Sequence, residues 1–274
     1  MNKRLVLSLA AVIAVCAVAC GVIFGLLPTG EEENGTPVVI GIIDTGISTN
    51  AIPGENILPG KNYVDPARST EDTYGHGTAV ASVILEQLPQ ARFVPLVSNA
   101  YEDGKLNQVS NDMFAQMIRD AVDVYNCQII NISVGLILDK PSIRDAVAYA
   151  EEKGVLVVAS VGNDYATAGS CRYYPAGYDT VLAVGSLNGD CTAISDFSQR
   201  GEWVDVYARG EEITIATLSG GSRESDGTSY SAARVAAFAG QLIQQAEKPL
   251  NAQELRQRLL EAAETLPDGT KYIP

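Results

Sequence analysis

His76 is the one histidine in 274 residues, so any proton transfer that needs an imidazole near neutral pH must use it. It stands in Gly75-His76-Gly77-Thr78. A lone histidine is commonly structural. Flanking glycines, however, let a second stretch of backbone approach closely and give a buried ring nothing to pack against. Imidazole titrates near working pH, which suits a general base. Three further segments carry groups that complement it. Asp44 opens Asp44-Thr45-Gly46 directly after an apolar run; its plain reading is a turn carboxylate. Ser229, in Asp226-Gly227-Thr228-Ser229-Tyr230-Ser231, opens a long apolar stretch. An N-cap serine is its ordinary reading, but a hydroxyl there also sits among free N–H groups that stabilise negative charge. Asn163 follows Val161-Gly162. It is either a turn former or an amide donor aimed at a developing alkoxide.

Buried strands and helices must position these residues. Continuous apolar runs at 38–43, 92–97, 129–134, 155–161 and 181–184 read as strands covered on both faces. Helical patterns fall between them at 78–88, 111–125 and 143–153, the last stopped by Gly154, and two more come later at 229–245 and 252–265. The alternation predicts an α/β fold with a mostly parallel central sheet and helices on both faces. The site is expected where strands end and helices begin. Chain order removes rival chemistries. A two-carboxylate protease needs a second Asp-Thr-Gly-type loop and a β-rich chain, and Asp226-Gly227-Thr228 has the wrong order. An α/β-hydrolase needs its serine before its histidine, whereas His76 precedes Ser229 by 153 positions. Ser231 also breaks Gly-x-Ser-x-Gly, and neither a P-loop nor Gly-x-Gly-x-x-Gly is present.

Asp and Glu total 33 against 19 Lys and Arg, a net charge of -14. That field repels phosphate backbones and argues against nucleic acid as a partner. It draws cationic peptides instead. At the amino terminus Lys3 and Arg4 precede an unbroken weakly polar-to-apolar run over residues 5–27, long enough for a bilayer. The flanking cations place the remainder of the chain outside the cytoplasm. The expected division is 1–28 as membrane anchor or signal segment, 29–37 as acidic tether and 38–274 as the folded domain. Two other readings of 1–28 export the domain equally: a signal peptide cut after Ala17-Val18-Ala19, and a lipoprotein lipidated at Cys20.

Taken together, the segments resemble the subtilisin-like serine proteases over about 220 residues. Asp44-Thr45-Gly46, Gly75-His76-Gly77-Thr78 and Gly227-Thr228-Ser229 match the family's three catalytic signatures in type and order. Val157 to Asn163, Tyr174-Pro175-Ala176 before Val181 to Gly185, and Phe197-Ser198 before Val204-Asp205-Val206 match further family segments. The resemblance implies a serine endopeptidase, and the amino-terminal run is expected to make it extracytoplasmic and membrane-tethered. Asp44, His76 and Ser229 would form its triad, with Asn163 as oxyanion donor. Ser133, Val134 and Gly135 would pair with an extended peptide or protein substrate. Ser160, Val161 and Gly162 would wall the pocket for the residue before the cleaved bond. No cofactor is implied, and the calcium-loop insertion common in secreted members is missing after His76. Two alternatives share the scaffold: a catalytically impaired peptide-binding relative, and a processing protease dedicated to one secreted peptide.

Four departures from the family carry expectations. About ten residues separate the apolar run from the first strand, which leaves no room for a propeptide. The missing calcium loop is the second. Ala233 stands where members usually have proline, whose loss is expected to shift Ser229 slightly and lower the catalytic rate. Tyr173 stands where a pocket-floor glycine is common, which shortens the pocket, while nearby Asp164 favours basic residues. These last two hints oppose each other. Export also makes Cys171 and Cys191 a candidate disulfide, with Cys127 an inert core thiol.

Overall fold

The computed structural model describes residues 37–274 except Asp103. The anchor or signal segment 1–28 and all of the tether but Pro37 lie outside the described residues. In chain order the elements are β1 (Val39–Asp44), β2 (Lys61–Asn62), α1 (His76–Gln87), β3 (Arg92–Val97), β4 (Asn99–Glu102), β5 (Lys105–Gln108), α2 (Asn111–Asp123), β6 (Ile129–Ile132), α3 (Pro141–Glu152), β7 (Leu156–Ser160), α4 (Tyr165–Ala168), β8 (Val181–Leu187), β9 (Val206–Arg209), β10 (Ile213–Ala216), β11 (Ser222–Ser225), α5 (Thr228–Gln245), α6 (Ala252–Ala262), β12 (Glu264–Thr265) and β13 (Lys271–Ile273). Among the described residues no helix is long and apolar enough to cross a membrane.

Nine strands form one sheet in the order β12-β13-β9-β8-β7-β6-β1-β3-β2. Every neighbouring pair is parallel except β12 with β13. The apolar runs of the central strands β1, β3, β6, β7 and β8 are continuous because each of these strands feeds two cores. Ile40 and Ile42 of β1, Val158 of β7 and Leu182 of β8 pack with Val80, Ile84, Val235 and Leu259 of α1, α5 and α6. Their neighbours Ile43, Val157 and Ala183 pack on the opposite side with Phe114, Ile118, Ile143 and Val147 of α2 and α3. A period of two along the strand thus serves both layers, and each buried Ile or Val contributes about 1.5–3 kcal/mol. Helix α5 runs through the first core. Ala232, Ala233, Ala236 and Ala237 are fully buried, and side chains this small let its backbone lie close to the sheet.

Expected and observed elements differ mainly at their ends. The strand at 129–134 stops at Ile132, so Ser133, Val134 and Gly135 run on outside any strand. The helix expected to begin at Thr78 begins at His76. The helix expected over 252–265 stops at Ala262. Glu264 and Thr265 instead pair with Tyr272 and Lys271, around a turn in which Gly269 donates to the Leu266 carbonyl. Helix α5 runs unbroken from Thr228 through Ala233, so its first turn is regular without proline.

Candidate active site

The chain reverses direction across the sheet at β1, which lies between β3 and β6. Ligand crevices form beyond the carboxyl ends of strands at such a switch. Asp44 is the last residue of β1 and 1% exposed. A carboxylate buried this fully needs donors. The Thr45 N–H supplies one to Oδ1 at 2.7 Å, and His76 Nδ1 lies 2.8 and 2.9 Å from the two oxygens. The Asp44 carbonyl in turn accepts from the Ser98 N–H at 2.8 Å.

His76 reaches that carboxylate because two loops are locked together. Thr45 Oγ1 accepts the Gly77 N–H at 2.9 Å. A β-carbon on Gly77 would overlap the Gly46 carbonyl oxygen and press on Asp44 Cβ, so only glycine permits this approach. Asp72, 4% exposed, fixes the loop leading into α1. Its Oδ1 accepts the N–H groups of Tyr74 and Gly75 at 2.9 and 2.7 Å. Its Oδ2 accepts the N–H and hydroxyl of Thr78 at 2.9 and 2.7 Å. Burial pushes the His76 pKa down, but the charges of Asp44 and Asp72 and the Asp44 hydrogen bond outweigh it, so the net shift is upward from about 6.5. With Nδ1 committed to Asp44, Nε2 is the nitrogen left to accept a proton.

The start of α5 is tied to the ends of β6 and β7. Asn163 Oδ1 accepts both the N–H and the hydroxyl of Thr228, at 2.9 and 2.8 Å. The backbone N–H can only donate, so this fixes the amide's orientation. Asn163 Nδ2 is left without a partner among the described residues, facing the turn at Gly227. Thr228 Oγ1 also accepts the Gly162 N–H at 3.3 Å, and Ser133 Oγ donates to the Ser229 carbonyl at 3.5 Å. Ser229 comes next, 6% exposed, in a first turn whose N–H groups have no helical acceptor. Its neighbour Tyr230 has its ring centroid 6.3 Å from that of His76. No direct hydrogen bond joins Ser229 Oγ to His76.

Ser133 to Gly135 and Ser160 to Gly162 therefore flank the Thr228-Ser229 turn, and Tyr173 lies between them against Gly135 and Gly162. The disulfide expected between Cys171 and Cys191 is not formed; both thiols are free, as is Cys127. The two loops hold them in different surroundings. The Cys171 N–H is fixed to Gln199 Oε1 at 2.8 Å. Cys191 sits at φ 58° in the turn after β8, donating to the Asn188 carbonyl. Sequence reasoning missed Asp72, Thr228 and Gln199 as supports of the site.

A family model described as the subtilase family matches residues 35–272. The thermophilic serine proteinase of Bacillus sp. (strain AK1) is 30% identical over 244 residues, 85% of this chain but 58% of that protein, so this chain spans well under two thirds of its length. Subtilisin Savinase of Lederbergia lenta is 31% identical over 249 residues, 87% of either chain. Among solved structures, a cold adapted subtilisin-like serine proteinase superimposes with a TM-score of 0.73 at 25% identity, covering 90% of this chain and 93% of that one. With the family model spanning nearly all of the described residues, the chain belongs to the subtilase family.

Proposed function

We propose that the chain is a serine endopeptidase acting outside the cytoplasm, held at the membrane by residues 5–27. Ser229 Oγ attacks a peptide carbonyl while its proton passes to His76 Nε2. The C–N bond then breaks as His76 gives that proton to the leaving amine, and water hydrolyses the acyl-serine by the same route. Asp44 holds the imidazole tautomer and balances its charge. Asn163 Nδ2 and the Ser229 N–H receive the oxyanion. Substrate lies extended along Ser133 to Gly135, adding a strand, and the -14 charge attracts basic peptides.

The observation that supports this most is the pair of short contacts from His76 Nδ1 to the buried Asp44 carboxylate, which leaves Nε2 free to work. The unmade bond between His76 and Ser229 is what favours the impaired peptide-binding alternative. Catalytic hydrogen bonds are often long before substrate binds, and tighten in the complex. A small fluorophosphonate decides between the two. The peptidase forms an adduct on Ser229 and cleaves peptides, with both lost in Ser229→Ala. A folded chain that binds peptides yet forms no adduct is the binder. Carbonate washing of membranes tests the anchor: a chain released in soluble form refutes it.

A further inference from the structure

The crevice beside Ser229 is already filled. Gly135 lies just past β6 and Gly162 just past β7, and the Tyr173 ring spans the gap between them. A β-carbon on Gly162 would meet ring atoms Cδ2 and Cε2 at 2.9 and 3.1 Å, and one on Gly135 would meet Cδ1 and Cβ of the same residue at 3.2 and 3.3 Å. The ring is also tethered. Its hydroxyl donates to Asp164 Oδ2. Asp164 Oδ1 accepts from Gln199 Nε2 at 2.8 Å, and the buried Gln199 is held in turn by the Gly169 carbonyl at 2.9 Å and the Cys171 N–H at 2.8 Å. The Asp164 hydrogen bond and burial push the Tyr173 phenol up to about 12, and the same bond holds the Asp164 carboxyl below its usual range. Donor and acceptor therefore stay matched from neutral to alkaline pH.

The placement of a substrate depends on the serine-peptidase reading, on which this inference rests. The reacting carbonyl must lie between Ser229 Oγ and Asn163 Nδ2. The leaving amine must face His76, beside a cavity of about 370 Å³ lined in part by Tyr74, Leu218 and Tyr230. The side chain on the acyl half is then directed into the other crevice, whose two walls are bonded to the Thr228-Ser229 turn.

We propose that Tyr173 plugs this crevice, so that the enzyme accepts Gly, Ala or Ser before the cleaved bond and rejects Phe, Leu and Lys. Asp164 accepts the Tyr173 hydroxyl with one carboxylate oxygen and the Gln199 amide with the other, and so holds the plug in place.

The test uses the purified full-length chain in detergent, with active sites counted by fluorophosphonate labelling at Ser229. Its substrates are peptides that differ only in the residue before the bond. The wild type should show kcat/KM at least ~10-fold higher for Ala than for Phe or Leu. Removing the ring, by Tyr173→Gly or Tyr173→Ala, should raise the Phe-to-Ala ratio at least ~10-fold. Tyr173→Phe keeps the ring and should keep the small-residue preference. A wild type that labels at Ser229 yet cleaves after Phe as well as after Ala overturns the plug and leaves the peptidase standing. So does an unchanged ratio when the ring is removed. No label and no cleavage of any peptide overturns the peptidase and the plug with it. The wild-type ratio needs no variant, so it decides even if the ring deletions do not fold.

Discussion

Asp72→Asn is the sharpest probe of how the site is held. The Asp72 carboxylate accepts four hydrogen bonds, from Tyr74, Gly75 and twice from Thr78, and is almost fully buried. Asparagine is nearly isosteric but has one oxygen. That oxygen can serve the Tyr74 and Gly75 N–H groups or the Thr78 N–H, not both. At least one buried N–H is then left facing an amide NH₂, a loss of about 1–3 kcal/mol. Losing the negative charge at the start of α1 adds about 0.3–1 kcal/mol. The sum, about 1.3–4 kcal/mol, lowers the melting temperature of a domain this size by about 3–16 °C. Melting is best measured in a Ser229→Ala background, where autolysis is absent. In the active background the same substitution removes one of the charges that raise the His76 pKa. Activity requires the neutral imidazole, so the acid limb of the pH–rate profile should move to lower pH. If melting stays within a degree and the limb does not move, Asp72 neither anchors the loop nor acts on the imidazole, and the account of how His76 is held is wrong.

Three other outcomes are expected. Asn163→Ala should reduce kcat by about 10²–10³-fold, whereas Thr228→Val, which removes one of two bonds orienting that amide, should lower kcat by less and leave KM within about 2-fold; steady-state kinetics on one peptide separates them. Mapping of alkylated peptides should find Cys171 and Cys191 modified in the native protein and Cys127 spared until denaturation, since burial pushes its thiol up to about 12; reductant should leave melting unchanged, and a drop would reinstate the disulfide. Because the His76 pKa is raised, the protonated imidazole adds stability that is complete below about pH 6.5 and fades as pH climbs through the raised value; Ser229→Ala melted across pH 5–9 should lose that contribution on the alkaline side, while Ser229→Ala with His76→Gln should not.

The groups at the chemical centre were legible because each sits where an apolar run meets a glycine-containing turn, a junction that local sequence displays. Asp44 and His76 are joined in space as their segments suggested. The supports were not legible, because their roles exist only after distant segments meet. Asp72 lies in the polar stretch Ser69-Thr70-Glu71-Asp72-Thr73, where nothing marks it apart from Glu71. Gln199 stands just after a family segment but bonds across to Asp164 and Gly169. The end of α6 was misread because Ala262, Ala263 and Glu264 favour helix, and a hairpin that pairs with β9 through β13 overrides that preference. The disulfide failed for a related reason: two cysteines in loops show opportunity, while bonding needs their Cα atoms within about 7 Å and properly directed.

What holds the site also explains how its specificity can differ within an unchanged frame. Asp44, Asn163 and Ser229 are fixed by backbone groups and short hydroxyls at the ends of a sheet buried on both sides, so a shift of any one disturbs several bonds at once. Tyr173 stands apart from that frame. It reaches the crevice from the connection between α4 and β8, and its tether runs to Asp164 and Gln199, neither of which contacts the imidazole or the Thr228 turn through a hydrogen bond. A loop residue can thus narrow the pocket without altering the distance from His76 to Asp44. Changing Tyr173 should accordingly redistribute kcat/KM among substrates, whereas changing Thr228 should lower it for all of them.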